Sequence, residues 1–284
     1  MTGFLLDLSG KIDGKTIAAL FEIDKIAGAL NTPYFIVGAT ARDILLQYAH
    51  NIHTTRATLD IDIGVFVADW KQFQDLRQTL LRSKKFGPTR RMQRLIYQET
   101  LPLDILPFGK IAEEKNIISW PSEHEIELSV TGFQECYQHA VSVRLNDKPD
   151  LVVKVVNLSG LAVLKLISWN ESRERRGKDA ADLFIIIKNY ISAGNIDRFF
   201  DEPDILKEEN SDYDRSSARL LGRDIARMTE EETKAKLVAI LEREAAHPYH
   251  KISMDVLKQD WLRNESYELI TAYFNAMLRG LLDC

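Results

Sequence analysis

An alternating segment between positions 59 and 67 constrains the fold more than any other part of the chain. Apolar side chains occupy every second position from 59 to 67, and Asp60 and Asp62 lie between them. A period of two predicts a β-strand with one buried face. Because successive side chains on a strand point to opposite faces, Asp60 and Asp62 share the other face. The chain is therefore expected to fold around a strand that displays two carboxylates.

The segment before this strand has the pattern of a strand, a glycine turn and a helix. Tyr34–Val37 is a short apolar run that stops at Gly38, and residues 40–50 have helical spacing with Thr40 near their start. Glycine lets the backbone approach a ligand closely, and the N–H groups that open a helix can point at an anion. Gly38, Ala41 and Thr40, with its hydroxyl, are therefore candidates for holding a phosphate group.

Asp104 is a candidate for a third carboxylate beside the pair. Two neighbouring carboxylates repel, which raises the pKa of one of them unless a cation lies between them. Mg²⁺ favours carboxylate oxygens together with phosphate and water. Asp60 and Asp62 alone could be a solvated pair, but Asp104 lies between apolar residues, where an unpaired carboxylate is costly. We therefore expect Asp60, Asp62 and Asp104 to bind Mg²⁺, or Mn²⁺ as an alternative, and to be catalytic.

The patterns along the chain predict two domains. The first half mixes strand and helix patterns, with a helix from Asp69, as its N-cap, to Leu81 and short strands at 93–99 and 101–106. From Ser159 the pattern is helical, and residues 216–245 and 252–282 are strongly helical. We predict an α+β fold, with an α/β core at 1–155 and a helical domain at 156–284.

Composition narrows the location and the partners. The chain has 284 residues with a formal net charge of −5, which argues against broad nucleic-acid binding but leaves room for a local basic patch. Two cysteines form no disulfide framework, so a reducing compartment is expected. The N-terminus lacks the pattern of a signal peptide, and no stretch reaches ~18 apolar residues. These features predict a cytoplasmic protein without a membrane partner.

Two motifs resemble those of a known family. Gly38-Ala-Thr-Ala-Arg-Asp43 followed by Asp60-Ile-Asp62 resembles the signature of the DNA polymerase β-like nucleotidyltransferase superfamily, including its tRNA CCA-adding branch. Lys178-Asp-Ala-Ala-Asp-Leu183, preceded by Lys165-Leu166, is more similar to the AbiEii-type nucleotidyltransferases, the toxins of type IV toxin–antitoxin systems. The resemblance covers residues 34–190. It implies a polymerase β-like mixed sheet with flanking helices, followed by a helical domain that contributes nucleotide-binding residues.

The resemblance also implies a role for each matching residue. Asp60 and Asp62 would hold both metal ions, and Asp104 would hold the one that activates the acceptor hydroxyl. The implied nucleotide-binding residues are Gly38, Ala39, Thr40, Arg42, Lys165, Lys178 and Asp179. Ala39 departs from the family pattern, which has a second Gly or Ser at this position. The interval from Gly38 to Asp60 is also long, so a loop at residues 50–56 must be inserted.

Several basic residues are open to two interpretations. Lys165 lies on an apolar helix face, where it either extends to solvent or reaches a phosphate. A basic turn before the second of the helical motifs is either a solvated loop or a clamp for triphosphate or RNA; its residues are Arg173, Arg175 and Arg176. A second basic cluster could face an acceptor; its residues are Arg90, Arg91 and Arg94.

The implied activity is Mg²⁺-dependent transfer of an NMP from an NTP, such as ATP or GTP, to a hydroxyl group. The acceptor would be an RNA such as tRNA, or a protein, and an antitoxin would be a partner. Two alternatives stay open. Ala39 is compatible with a catalytically degenerate protein that binds nucleotide or pairs with an antitoxin. The acidic pI of about 5.8 suits a cationic aminoglycoside-type acceptor.

Overall fold

The structure is a computed structural model that describes residues 5–54, 60–112, 116–121, 127–171 and 176–283. The chain divides into two compact units, Met1–Ala49 with Arg56–Asn157 and His50–Thr55 with Leu158–Cys284. The first unit contains all the strands of the described residues, and the second is helical. The predicted α+β class, a mixed sheet with helices followed by a helical part, is confirmed. The domain limits 1–155 and 156–284 stay predictions.

A mixed sheet forms the centre of the first unit. The strands in the described residues are β1 (Leu5–Asp7), β2 (Tyr34–Val37), β3 (Ile61–Phe66), β4 (Phe86–Pro88), β5 (Arg94–Tyr97), β6 (Leu101–Phe108), β7 (Ile117–Ser119), β8 (Glu127–Ser129), β9 (Val141–Asp147) and β10 (Asp150–Val155). Eight of these described strands form one sheet in the order β1-β9-β10-β2-β3-β6-β5-β4, and β7 pairs with β8. β3 runs parallel to β6 and antiparallel to β2, so the sheet is mixed around the predicted acidic strand.

Two of the four helices described in the first unit begin after an aspartate that caps them. They are α1 (Gly14–Ala29), α2 (Gly38–Asp43), which continues into a π-helical segment at Ile44–Tyr48, α3 (Trp70–Arg82) and α4 (Phe133–Gln138). The Asp69 side chain accepts a hydrogen bond from the backbone of Gln72, which confirms the predicted N-cap. The helix predicted at 40–50 begins earlier, at Gly38, directly after β2.

Both faces of β3 pack against apolar groups. Ile61, Ile63 and Val65 on one face are each no more than 2% exposed. On the other face, beyond the two aspartates, the Phe66 and Phe108 rings lie 5.6 Å apart. Gly64 belongs to this face, and a Cβ there would lie 2.4 Å from the Phe35 ring. The glycine in the alternating pattern therefore makes room for an aromatic cluster that fixes the strands beside the carboxylates.

The second unit consists of helices with short connections. Its helices in the described residues are α5 (Leu158–Glu171), α6 (Arg176–Asn189), α7 (Arg198–Asp201), α8 (Pro203–Glu208), α9 (Tyr213–Met228), α10 (Glu231–Ala246), α11 (Lys251–Leu257) and α12 (Tyr267–Leu282), with a π-helical segment at Ile191–Asn195 and a 3₁₀ turn at Asp260–Leu262. Within the described ranges, no helix has the length and apolar composition needed to cross a membrane.

The segments at 216–245 and 252–282, which were predicted to be strongly helical, are mostly helical, and each contains an interruption. Thr229 and Glu230 adopt extended backbone angles between α9 and α10. The Thr229 hydroxyl donates to the carbonyl oxygen of Ile225 at 2.8 Å, a local bond that competes with helix continuation. The second segment breaks before Ser266, whose side chain caps α12 by accepting from the backbone of Leu269.

Two glycines allow α9 and α12 to pack backbone against backbone. A Cβ on Gly222 would lie 2.1 Å from the carbonyl oxygen of Met277, and one on Gly280 would lie 2.0 Å from that of Arg219. No real Cβ tolerates such distances to a main-chain atom. The close contact of these two helices therefore requires glycine at both positions.

Candidate active site

Strand pairing brings the three predicted carboxylates together. In the parallel register of β3 and β6, Asp62 lies directly opposite Asp104, and Asp60 immediately precedes β3. One carboxylate oxygen from each of the three residues lies within 4.8 Å of the others. All three side chains retain some contact with solvent. The structure thus forms the acidic cluster that the sequence pattern predicts, on one face of the sheet.

Gly38 makes room for one of these carboxylates. Its φ of +66° lies in the left-handed region, which favours glycine. A Cβ at this position would lie 2.1 Å from Oδ2 of Asp62. The sequence pattern suggested that Gly38 lets a phosphate approach the backbone, whereas the described contact is with Asp62. A side chain at position 38 would therefore displace a member of the acidic cluster.

Thr40 connects the turn to the acidic cluster. It is 8% exposed, and its hydroxyl donates to the carbonyl oxygen of Asp60 at 2.8 Å. This bond fixes the backbone of Asp60 just before β3 begins. The hydroxyl that was expected to donate to a phosphate therefore has a partner within the protein. Ala39, the departure from the family pattern, is half-buried in the same first turn of α2.

Arg42, which was predicted to border a triphosphate, has a hydrogen-bonding partner within the protein. The residue is completely buried, and its Nε and Nη2 donate to Oδ1 of Asp43 at 3.0 and 2.7 Å. A buried guanidinium must be paired, and a carboxylate next to it in the chain supplies that pairing. Arg42 is therefore a residue of the protein interior.

Arg94 joins the acidic cluster, and the sequence pattern did not assign it there. It lies opposite Asp104 in the antiparallel register of β5 and β6. Its Nε donates to Oδ1 of Asp104 at 2.7 Å, and its Nη2 contacts Oδ2 of Asp104 as well as Oδ2 of Asp60 at 3.1 Å. The hydrogen bond to Asp104 raises the pKa of Arg94 although burial opposes it, and the charges of Asp104 and Asp60 add to this. Only the register, which short-range patterns do not contain, could have revealed this contact.

Lys165 belongs to a buried ionic cluster in the second unit. Its Nζ lies 3.0 Å from Oδ1 of Asp179 and 2.7 Å from Oδ2 of Asp182. Ser168 also donates to Asp179, at 2.8 Å. Burial alone would lower the pKa of Lys165, but the charges of Asp182 and Asp179 outweigh it and raise the pKa, so the ammonium stays protonated. Lys165 and Asp179, both predicted to bind nucleotide, therefore bind each other between α5 and α6.

Lys178 differs from Lys165 in being exposed. It lies in the first turn of α6, one position before Asp179. An exposed lysine is available to an anionic ligand, so the prediction for Lys178 remains open. Of the basic turn, Arg173 and Arg175 lie outside the described residues, as does the side chain of Arg176.

The acidic cluster has the chemistry of a divalent cation site. Its oxygen donors suit a hard cation such as Mg²⁺. The space that Gly38 leaves for Asp62 shows that the turn is built to keep this carboxylate in the cluster. Three carboxylates on adjacent strands beside a glycine turn, on a mixed sheet with a helical part after it, indicate a nucleotidyltransferase.

Comparison with known proteins identifies the family. Residues 27–263 match the model of the family described as "Nucleotidyl transferase AbiEii toxin, Type IV TA system". The match spans most of the chain, so the protein belongs to the AbiEii nucleotidyltransferase family. The resemblance inferred from the sequence motifs is thereby confirmed. The comparison with curated proteins found no match.

Several solved structures show weaker similarity. An antigenic nucleotidyltransferase-like protein from Paracoccidioides brasiliensis is 16% identical, with 69% of this chain and 93% of that chain covered and a TM-score of 0.40. The lincosamide antibiotic adenylyltransferase LnuA is 19% identical, with coverages of 58% and 94% and a TM-score of 0.36. The Thermotoga maritima CCA-adding enzyme is 12% identical, with coverages of 97% and 83% and a TM-score of 0.29. The family assignment rests on the match over residues 27–263.

Proposed function

We propose that this protein transfers an NMP from an NTP to a hydroxyl group of an RNA such as tRNA, or of a protein, and acts as a type IV toxin. The observation that supports this most is the cluster of Asp60, Asp62 and Asp104, whose carboxylate oxygens lie within 4.8 Å of one another. Membership in the AbiEii family supports the reaction class and the toxin role. An antitoxin partner and a cytoplasmic location are parts of the same proposal.

The three carboxylates would hold Mg²⁺, with Mn²⁺ as an alternative. Such an ion supplies positive charge that lowers the pKa of the acceptor hydroxyl and stabilises the pyrophosphate leaving group. The protein contributes positioning. Gly38 leaves the space in which Asp62 lies, and Thr40 holds the backbone of Asp60 through a 2.8 Å hydrogen bond. A rigid set of acids needs little rearrangement when a cation binds, which favours catalysis.

The proposed triphosphate site contains fewer residues than the seven nucleotide-binding residues that the family resemblance implies. Gly38, Ala39 and the backbone of Thr40 adjoin Asp62 and Asp60, so main-chain N–H groups there are candidate donors to a phosphate. Lys178, in the second unit, has an exposed side chain and stays a candidate for phosphate binding through the family resemblance alone. Within that unit, Lys165 and Asp179 would fix α5 to α6 rather than touch phosphate.

The acceptor can be identified by transfer of a labelled NMP from an NTP. Purified protein is incubated with each NTP labelled at the α-phosphate, with Mg²⁺ and total cell RNA, and the RNA and protein fractions are separated. We expect label in a defined RNA or protein species only when Mg²⁺ is present. Label on an added aminoglycoside instead would identify a small-molecule enzyme. Binding of NTP without transfer to any acceptor would contradict the proposal and indicate a degenerate family member.

A further inference from the structure

Arg94 occupies a position that the proposed reaction leaves unexplained. Its guanidinium is bidentate to Asp104 and also reaches Asp60, so it contacts two members of the acidic cluster at once. The side chain is 27% exposed and that of Asp104 is 12% exposed, so these contacts lie in the partly open mouth of the cluster. A guanidinium with this geometry matches carboxylates better than any other side chain does.

The contact has an electrostatic consequence. Three carboxylates so close together repel, and a neighbouring positive charge relieves the repulsion. Arg94 supplies one positive charge to the oxygens that a divalent cation would use. A divalent cation arriving among these oxygens meets both a reduced negative charge and the positive charge of the guanidinium. Arg94 and the cation therefore compete for Asp104 and Asp60.

We propose that Arg94 is a positioning residue that holds Asp104 and Asp60 in place when no divalent cation is bound, and that it must release them for the cation to bind. This inference rests on the metal site of the proposed function. A nucleotide brings phosphate oxygens that can accept hydrogen bonds from the guanidinium in place of the carboxylates. Weak binding of the cation in the absence of nucleotide is the consequence.

The proposal is tested by Mn²⁺ binding to the full chain without nucleotide, measured by electron paramagnetic resonance. Arg94→Gln should bind Mn²⁺ more tightly than wild type by about tenfold, the order expected when one neighbouring positive charge is removed from a partly exposed site. The matched control is Arg91→Gln, which removes the same charge from an exposed residue in the same segment. It should stay within about twofold of wild type because solvent screens an exposed charge.

A second variant, Arg94→Lys, keeps the proposal testable if Arg94→Gln does not fold. Arg94→Lys keeps the charge, but an ammonium cannot take both oxygens of Asp104 in the manner of a guanidinium, so it should also bind Mn²⁺ more tightly than wild type. Circular dichroism establishes which variants are folded. Equal or weaker Mn²⁺ binding by the folded variants would overturn the proposal and leave Arg94 a purely structural partner of Asp104.

Asp62→Asn separates this proposal from the proposed function. If wild type binds Mn²⁺ and Asp62→Asn does not, the metal site is present, and the Arg94 variants decide the competition alone. If wild type and Asp62→Asn bind equally, the acidic cluster is not the metal site. That result removes the metal part of the proposed function and the role of Arg94 together.

Discussion

At the scale of single residues, Gly38 and Asp62 act as a pair. Two observations require glycine at position 38. Its φ of +66° lies in the left-handed region, and a Cβ there would lie 2.1 Å from Oδ2 of Asp62. The backbone turn and the carboxylate can occupy their places together only if position 38 has no side chain. A side chain introduced at position 38 should therefore displace Asp62 and disturb the acidic cluster.

Gly38→Ala should lower both stability and cation binding. The strained φ alone should reduce the free energy of unfolding by roughly 1–2 kcal/mol, and displacement of Asp62 should weaken Mn²⁺ binding. Denaturant unfolding and Mn²⁺ titration measure the two effects. The control is Gly28→Ala, at a helical position where a Cβ meets nothing within 4 Å, and it should be neutral or slightly stabilising. Gly38→Ala with unchanged stability and Mn²⁺ binding would show that position 38 does not require glycine.

Residue patterns predicted the acids better than their basic partners. Asp60, Asp62 and Asp104 stand out because each is a carboxylate within a short apolar strand, and strand geometry then places them on a shared face. Arg94 does not stand out, since its partner is set by the pairing of β5 with β6. Arg42 was assigned to the triphosphate from family resemblance, whereas its burial with Asp43 depends on packing around α2.

At the scale of elements, Lys165 connects α5 to α6 through Asp179 and Asp182. The side chains of these aspartates are 9% and 1% exposed, so Lys165 contacts two carboxylates that are almost withdrawn from solvent. A buried ionic cluster of this kind is costly to break because removal of one member leaves the others uncompensated. Lys165 therefore has a structural role in the arrangement of the two helices.

Lys165→Gln should destabilise the protein by about 3–5 kcal/mol, the usual cost of removing one member of a buried ion pair. Denaturant unfolding provides the measurement. Lys178→Gln is the matched control because it removes the same charge from an exposed position on α6, and it should change stability by less than about 0.5 kcal/mol. Weaker NTP binding by Lys165→Gln, with unchanged stability, would instead show that Lys165 binds phosphate directly.

Elements with a strong period were predictable, and their ends were less so. The alternation at 59–67 predicts β3, and the helical pattern from Asp69 to Leu81 predicts α3. The strands β1 and β4 have three residues each, which is too short for a period to be recognised. The break between α9 and α10 coincides with the local hydrogen bond of Thr229 and with a run of six polar residues from 229 to 234.

At the scale of the whole molecule, the order of the strands explains why the site could be only partly predicted. β3 pairs with β2 and β6, and the parallel pairing with β6 spans some forty residues of sequence that include α3, β4 and β5. Local patterns contain no information about such pairing, but they suffice to recognise the family through its separate motifs. The family model matches residues 27–263, a range that includes all of those motifs.

Measurement of NMP transfer by a variant without the acidic pair shows directly whether the acidic cluster is the active site. In the presence of Mg²⁺ and an α-labelled NTP, Asp60→Asn/Asp62→Asn should lose transfer by roughly a hundredfold or more, because the carboxylates no longer hold the cation. Asp75→Asn, which removes an exposed carboxylate of α3 paired with Lys71, should transfer label as wild type does. Wild-type transfer by the folded double variant would show that the acidic cluster is not the active site.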